Sequence, residues 1–382
     1  MPATSNRNLQ PARVASPTST KMPRNILLLQ GGGALGAYQA GAYEALAEHA
    51  YDPDWVIGVS IGAINASLIA GNPPERRLER LREFWRRITT PPPSFIPTPM
   101  PLPAAAEQKL SALSAVLFGQ SGFFRPRPPF DFIAASPLSF YDTTHLRQTL
   151  EELVDFDRIN SGTTRLAVGA VQVRTGNMIY FDSAQHRLTP EHIMASGALP
   201  PGFPPVEIDG EAYWDGGLVS NTPLEYMMRS EPREDSLVFQ VDLFPSSGIM
   251  PTTLDEVAER EKDIRYSSRT RYNTDAEKRR QDLRRRVSAF LERLPPELRG
   301  DPITQHLEEF SCPAQIDVVH LIYRPGRPQG ANKDVQFDMA TAERRWQYGR
   351  GDATRALTAA PWREPHPHDL GMRTFDITKI KS

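Results

Sequence analysis

The chain has 382 residues, 39% of them hydrophobic and 24% charged, which suits a soluble globular protein of one large domain or of one domain plus an appendage. Its formal net charge of -2 gives no global pull toward nucleic acid or anionic lipid. A single cysteine, Cys312, excludes an internal disulfide framework and fits a reducing compartment.

Residues 1–23 are rich in Ser, Thr, Pro, Asn and Ala and lack the basic start and apolar core of a secretory leader. They are expected to form a disordered N-terminal tail on a cytoplasmic protein. The apolar run 26–29 is far too short to span a bilayer and reads as a buried parallel strand. Gly31-Gly-Gly-Ala-Leu-Gly36 follows at once, then a helical stretch over 37–49. Residues 55–59 read as a second strand. Residues 61–70 are apolar nearly all round and predict a buried helix, stopped by Gly71-Asn72-Pro73-Pro74. Residues 75–89 are amphipathic, with Leu78, Leu81, Trp85 and Ile88 on one face. This order of strand, loop, helix, strand, turn and helix argues an α/β layered fold.

Prolines then crowd residues 91–103, and the stretch of about 91–130 reads as an insertion on the core. It is either a surface loop with a small satellite helix or a lid over an acyl-chain pocket. A helix is expected over 143–153, a strand over 165–173 with a hairpin partner at 178–181, and a short helix over 191–198. Residues 237–243 and 317–322 read as further strands. From about 246 the chain is charge-dense and largely helical, with Leu283, Val287, Phe290 and Leu294 at helical spacing. The basic run 278–286 is expected to be a solvated face, with contact to an anionic membrane as the alternative; no aromatic platform or motif accompanies it, so nucleic acid is not an expected partner.

Three motifs carry chemistry. Gly58-Val-Ser-Ile-Gly62 has G-x-S-x-G spacing between a strand and a buried helix, where a sharp turn lifts the Ser60 hydroxyl out of the sheet. The Gly31–Gly36 loop offers free backbone N–H groups at a strand–helix junction, which can bind an anion. A dinucleotide site would want an acidic residue at the end of the second strand, where Val59-Ser60-Ile61 stands instead. The oxyanion-hole reading is therefore preferred. Trp214-Asp-Gly-Gly217 puts a carboxylate, Asp215, on what reads as a tight exposed turn. His306, His320, His366 and His368 lie downstream, but none sits in a motif-like turn, and His366 and His368 fall in a Pro-rich tail that reads as exposed. Only one clear strand precedes the one leading into Ser60, too few for an α/β-hydrolase.

Taken together, the Gly-rich loop, the serine elbow and the later Asp-Gly-Gly turn resemble the patatin-like phospholipase family over about residues 24–228. Residues 195–206, Asn221 and Pro223 add to the resemblance, and the charged C-terminal part is similar to an extension in a bacterial subgroup. The resemblance implies a three-layer α/β/α fold with a central, mainly parallel sheet. It divides the chain into a tail (1–23), a catalytic domain (24–245) and a charged, largely helical C-terminal extension packed on or beside the core (246–382). It implies a Ser60–Asp215 dyad, with Ser60 as nucleophile and Asp215 as proton acceptor. The N–H groups of Gly31, Gly32, Gly33 and Ile61 would form the oxyanion hole, with Gly36, Gly58, Gly62, Gly216 and Gly217 as motif glycines. No metal or cofactor is implied. The implied substrate is a lipid or other acyl ester, reached by transient contact with a membrane or lipid-granule surface. An acyltransferase working through the same acyl-enzyme and a non-catalytic lipid-binding member of the fold remain as alternatives. One departure is Leu35, which stands where many members carry Arg or Lys in the loop.

Overall fold

A computed structural model describes residues 22–89, 119–120, 122–134, 137–367 and 369–377, with side chains omitted at 268–271. The N-terminal tail, most of the Pro-rich insertion and His368 lie outside the described residues, and so do the residues on which the lid reading chiefly rests.

The apolar runs form strands because each residue is buried on one face of the sheet or the other. The chain opens with β1 (Arg24–Leu29), α1 (Ala37–Glu48), β2 (Trp55–Val59), α2 (Ile61–Ala70) and α3 (Pro74–Thr89). After two-stranded β3 (Arg125–Pro126) and β4 (Tyr141–Asp142), with the short α4 (Pro129–Ala134) between them, come α5 (Thr144–Leu153) and α6 (Phe156–Asn160). The core resumes with β5 (Arg165–Gln172), β6 (Met178–Asp182), α7 (Pro190–Ser196), β7 (Val206–Ile208), β8 (Glu211–Asp215), α8 (Leu224–Arg229) and β9 (Ser236–Asp242). The C-terminal part adds α9 (Leu254–Leu291), α10 (Pro302–Phe310), β10 (Ile316–Ile322), α11 (Met339–Ala359) and β11 (Met372–Asp376).

One sheet runs through all of this in the order β11-β10-β9-β1-β2-β5-β8-β7, with β6 on the second edge of β5. The pairs from β11 to β5 are parallel, and β6, β7 and β8 join antiparallel. Alternate residues face opposite layers, as strand geometry requires. Leu27, Leu29, Val56, Val168, Phe239 and Val241 pack on the side of α1, α2, α3 and α11. Ile26, Leu28, Ile57, Val238 and Val318 pack with Leu224, Met227 and Met228 of α8 on the other. The result is the expected three-layer α/β/α arrangement.

The segment from 246 onward does more than pack beside the core. It supplies β10 and β11 to the same sheet, and α11 lies against α1. Its long helix also reverses the usual pattern. The buried stripe of α9 is Glu259, Asp263, Ser267, Thr274, Glu277, Gln281 and Arg284, while Leu283 and Phe290 face solvent. Part of the basic run 278–286 is accordingly not a solvated face. Gln281 is fully buried, and its Nε2 donates to the Ala314 carbonyl at 3.0 Å.

Candidate active site

The serine elbow follows from the crossing of α2 over β1 and β2. A Cβ on Gly58 would lie 2.3 Å from the Gly62 carbonyl oxygen, and one on Gly62 would lie 2.3 Å from that of Leu29. Only glycine allows that approach on both sides of Ser60. Ser60 between them has φ 57° and ψ -128°, a strained conformation for a residue with a side chain. Its N–H donates to Ser196 Oγ at 3.0 Å, and Ser196 Oγ–H donates to the Gly169 carbonyl at 2.6 Å. Ser196 is fully buried, so this bridge pins the elbow to β5.

Asp215 ends β8, where its backbone pairs with Ala170 of β5. The exposed turn expected from sequence is corrected here: Asp215 is only 3% exposed, because its N–H donates to the Ala198 carbonyl and the strand end lies under that loop. The Gly217 N–H donates to Asp215 Oδ1 at 2.7 Å. Burial pushes the carboxyl up from the ordinary carboxylate range to about 6. Hydrogen bonds from the Ser60 side chain and the Gly217 N–H oppose that rise but do not cancel it.

The Gly-rich loop leaves the end of β1, next to the elbow at the end of β2. Asn221 Nδ2 donates to the Gly31 carbonyl at 3.0 Å, while the Gly31 N–H donates back to the Asn221 carbonyl at 3.4 Å. Gly31 thus differs from expectation, since its N–H already has a partner. Among the described residues, the N–H groups of Gly32, Gly33 and Ile61 donate to no other group. Gln30 braces the loop from below: its Oε1 accepts the Leu243 and Phe244 N–H groups, and its carbonyl accepts Gln39 Nε2 at 2.6 Å. Asn65 carries the brace on to Gly36 and Trp85. Tyr266 of α9 stacks on Phe244 with centroids 4.8 Å apart, and its phenol is raised by burial and by the nearby Asp334 and Asp215 carboxylates.

No described histidine hydrogen-bonds Ser60 or Asp215. His320 Nδ1 lies 3.5 Å from Asp242 Oδ2. His366 is not exposed as expected, since its ring is packed beside Asp317 of β10. Among the described residues no group of three or more His, Cys, Asp or Glu is arranged to hold a metal ion. A cavity of about 700 Å³ opens at the ends of β9, β10 and β11 under α9, and neither Ser60 nor Asp215 lines it.

Several large apolar side chains stand exposed: Phe130 and Ile133 of α4, Leu138, Phe140, Leu199 beside Ala198, and Leu218 three residues after Asp215. The Phe140 N–H donates to the Pro201 carbonyl, and Phe140 and Phe132 have ring centroids 6.2 Å apart, so α4 and the 199–203 loop form one surface. No helix among the described residues is long and apolar enough to cross a membrane.

Among solved structures, VipD from Legionella pneumophila is 14% identical with a TM-score of 0.39, covering 88% of this chain and 67% of that one. Human GIVD cytosolic phospholipase A2 is 12% identical with a TM-score of 0.43, covering 88% of this chain and 59% of that one. A putative patatin-like phospholipase domain-containing protein of Caenorhabditis elegans is 44% identical over 59 residues, which is 15% of this chain and only 5% of that protein. A family model described as patatin phospholipase matches residues 264–369. The patatin-like phospholipase model matches residues 27–228, more than half of the chain and the whole stretch that holds the loop, the elbow and Asp215. The chain belongs to the patatin-like phospholipase family.

Proposed function

We propose that the chain is a serine hydrolase of lipid acyl esters, with Ser60 as nucleophile and Asp215 as the proton acceptor. The observation that carries this reading is the pairing of a strained, partly accessible serine with a buried carboxylate whose proton is poised near neutral pH. A carboxyl near 3.9 would be a poor base at pH 7, and one near 6 matches the task better.

In this reading the Ser60 hydroxyl attacks the ester carbonyl as its proton passes to Asp215. The N–H groups of Gly32, Gly33 and Ile61 receive the charge that develops on the carbonyl oxygen. Collapse of the tetrahedral intermediate expels the alcohol, which takes the proton back from Asp215. Water, deprotonated by Asp215, then releases the acid from Ser60. The exposed apolar side chains of α4 and of Phe140, Leu199 and Leu218 favour an ester presented at a lipid surface over one free in water.

The test is labelling by a fluorophosphonate probe together with turnover of a short soluble ester. Wild type should be labelled and active. Ser60→Ala should lose the label and roughly 10⁶ of kcat while keeping its fold. Activity retained above about 1% of wild type would remove Ser60 from the role.

A further inference from the structure

We propose that Arg345 is a positioning residue for the acyl-transfer site, through which the C-terminal half of the chain holds the Gly31–Gly36 loop in its anion-binding shape. The proposal rests on the serine-hydrolase reading above.

Arg345 of α11 is fully buried. Its Nη1 donates to the Ala34 carbonyl at 3.1 Å and to the Gln336 carbonyl at 3.2 Å. Its Nη2 donates to the Lys333 carbonyl at 2.8 Å and to the side-chain oxygens of Gln336 and Gln329. These acceptors are carbonyl or amide oxygens; the Tyr323 phenol also hydrogen-bonds the guanidinium, and the Asp338 carboxylate acts on it only from beyond ion-pair distance. A buried guanidinium with no carboxylate in direct contact is costly to keep, and a hydrophobic residue of similar size is usually the cheaper choice for stability alone. The arrangement makes sense if the fork is needed to fix the carbonyls it grips.

One of those carbonyls belongs to the Gly-rich loop, and the others belong to the turn that covers it. Gly33, Ala34, Leu35 and Gly36 form a single 3-10 turn, closed by a Leu35 N–H donation to the Gly32 carbonyl at 3.1 Å. Gripping the Ala34 carbonyl therefore orients the turn that carries the unpartnered Gly33 N–H. On its outer side the turn meets backbone. A Cβ on Gly33 would lie 2.3 Å from the Asp334 carbonyl oxygen, and Gly33 itself has φ +53°. Asp334 follows Lys333, whose carbonyl Arg345 holds and whose ammonium is pinned by Glu259 and Asp263 of α9. The loop is thus clamped between Arg345 and the 333–336 turn. Three separate parts of the C-terminal half, α9, the 329–336 segment and α11, build that clamp.

The experiment uses the full chain with Arg345→Lys, Arg345→Met and Gly33→Ala, and the double variant Arg345→Lys/Gly33→Ala. Folded protein is quantified by near-UV circular dichroism, and kcat, KM and the rate of fluorophosphonate labelling are measured per folded molecule on a soluble ester. The expected result is a loss of roughly 10²–10³ in kcat and in labelling rate for Arg345→Met, as for a lost oxyanion donor. KM should change less than about threefold, Arg345→Lys should recover part of the rate, and the double variant should lose less than the two single losses combined. A kcat per folded molecule within about threefold of wild type in both Arg345 variants overturns the proposal, as does a loss that tracks only the folded fraction. Inactive, unlabelled wild type would instead sink the hydrolase reading and is distinguishable from either result.

Discussion

Val59 and Asp215 stand side by side on one edge of β5, opposite Gly169 and Ala170 respectively. The other edge of β5 is taken by β6, so β2 and β8 share a single edge and run into each other head to head. Ser60, the residue after Val59, and Asp215 are brought together by that collision. No loop has to carry either of them, which is why both can be held rigidly.

Asp215→Asn should lower kcat by roughly 10³–10⁴, the scale seen when a catalytic Asp is lost with geometry kept. The variant should also be more stable than wild type above pH 6. The sign follows from the raised carboxyl. The folded state keeps a proton on Asp215 up to about pH 6, whereas the unfolded chain releases it near 3.9. Between those values wild-type stability falls as pH rises, and above them the ionised buried carboxylate costs about 3 kcal/mol. Activity should therefore rise with pH through an apparent pKa near 6, while stability declines over the same window. Melting curves of wild type and Asp215→Asn at pH 4.5 and 7.5 test this. A gap that fails to widen at the higher pH removes burial as the cause.

Ser196→Ala should slow labelling of Ser60 and lower kcat by about tenfold, with KM nearly constant. The substitution strips both the acceptor from the Ser60 N–H and the donor from the Gly169 carbonyl. Each group is then left without its partner, at about 1–3 kcal/mol of stability apiece. The strained φ of Ser60 has less to hold it, so its hydroxyl samples other orientations. Labelling kinetics beside a melting curve separate this from a purely structural role. A large drop in melting temperature with an unchanged labelling rate would show that the bridge serves the fold alone.

The site was legible to different depths. The two core strands, the all-round apolar α2 and the flanking glycines could be read directly, because local packing alone demands those residue types. Asp215 could be found as a motif, but its burial could not, since that depends on the Ala198 carbonyl and on β8 ending against β5. Ser196 lies in the 195–206 stretch that adds to the resemblance, but nothing local in it or around Arg345 tells what either side chain bonds; their partners lie far away in sequence. The C-terminal half misleads for a definite physical reason. The buried face of α9 lies over the ends of parallel strands and their loops, where exposed peptide groups and Asp242, His320 and Lys333 call for polar neighbours. Apolar periodicity at Leu283 and Phe290 thus points to the solvent side.

Phe130→Ser/Ile133→Ser should cut hydrolysis of phospholipid vesicles by about tenfold or more and leave a soluble short-chain ester unaffected. Both side chains are exposed, at 71% and 83%, so the fold loses little when they change. On a lipid surface each would be worth up to about 1.5–3 kcal/mol if fully buried. Vesicle co-sedimentation should weaken in parallel. Equal losses on both substrates would mean that α4 supports the catalytic centre instead of the approach to lipid.

Lys333→Met should destabilise the protein by about 3–5 kcal/mol near neutral pH, a loss that shrinks as the pH is lowered. Lys333 is 1% exposed and is the shared cation of Glu259, at 3.1 Å, and Asp263, at 2.6 Å. Removing it leaves two carboxylates in a site where burial already raises Asp263 above its ordinary value. Without the ammonium that opposes it, this rise must grow, and the folded variant will take up a proton that the unfolded chain gives away. Stability of the variant therefore increases as pH falls toward 5, opposite to what loss of a simple surface ion pair would do. The clamp on the Gly-rich loop shares this residue's backbone, so the folded variant should also show slower labelling of Ser60. Denaturant titrations at pH 7.5 and 5.5 give the first result and fluorophosphonate kinetics the second. A pH-independent loss below about 1 kcal/mol would mean that water screens the triad and that the buried stripe of α9 does not depend on Lys333.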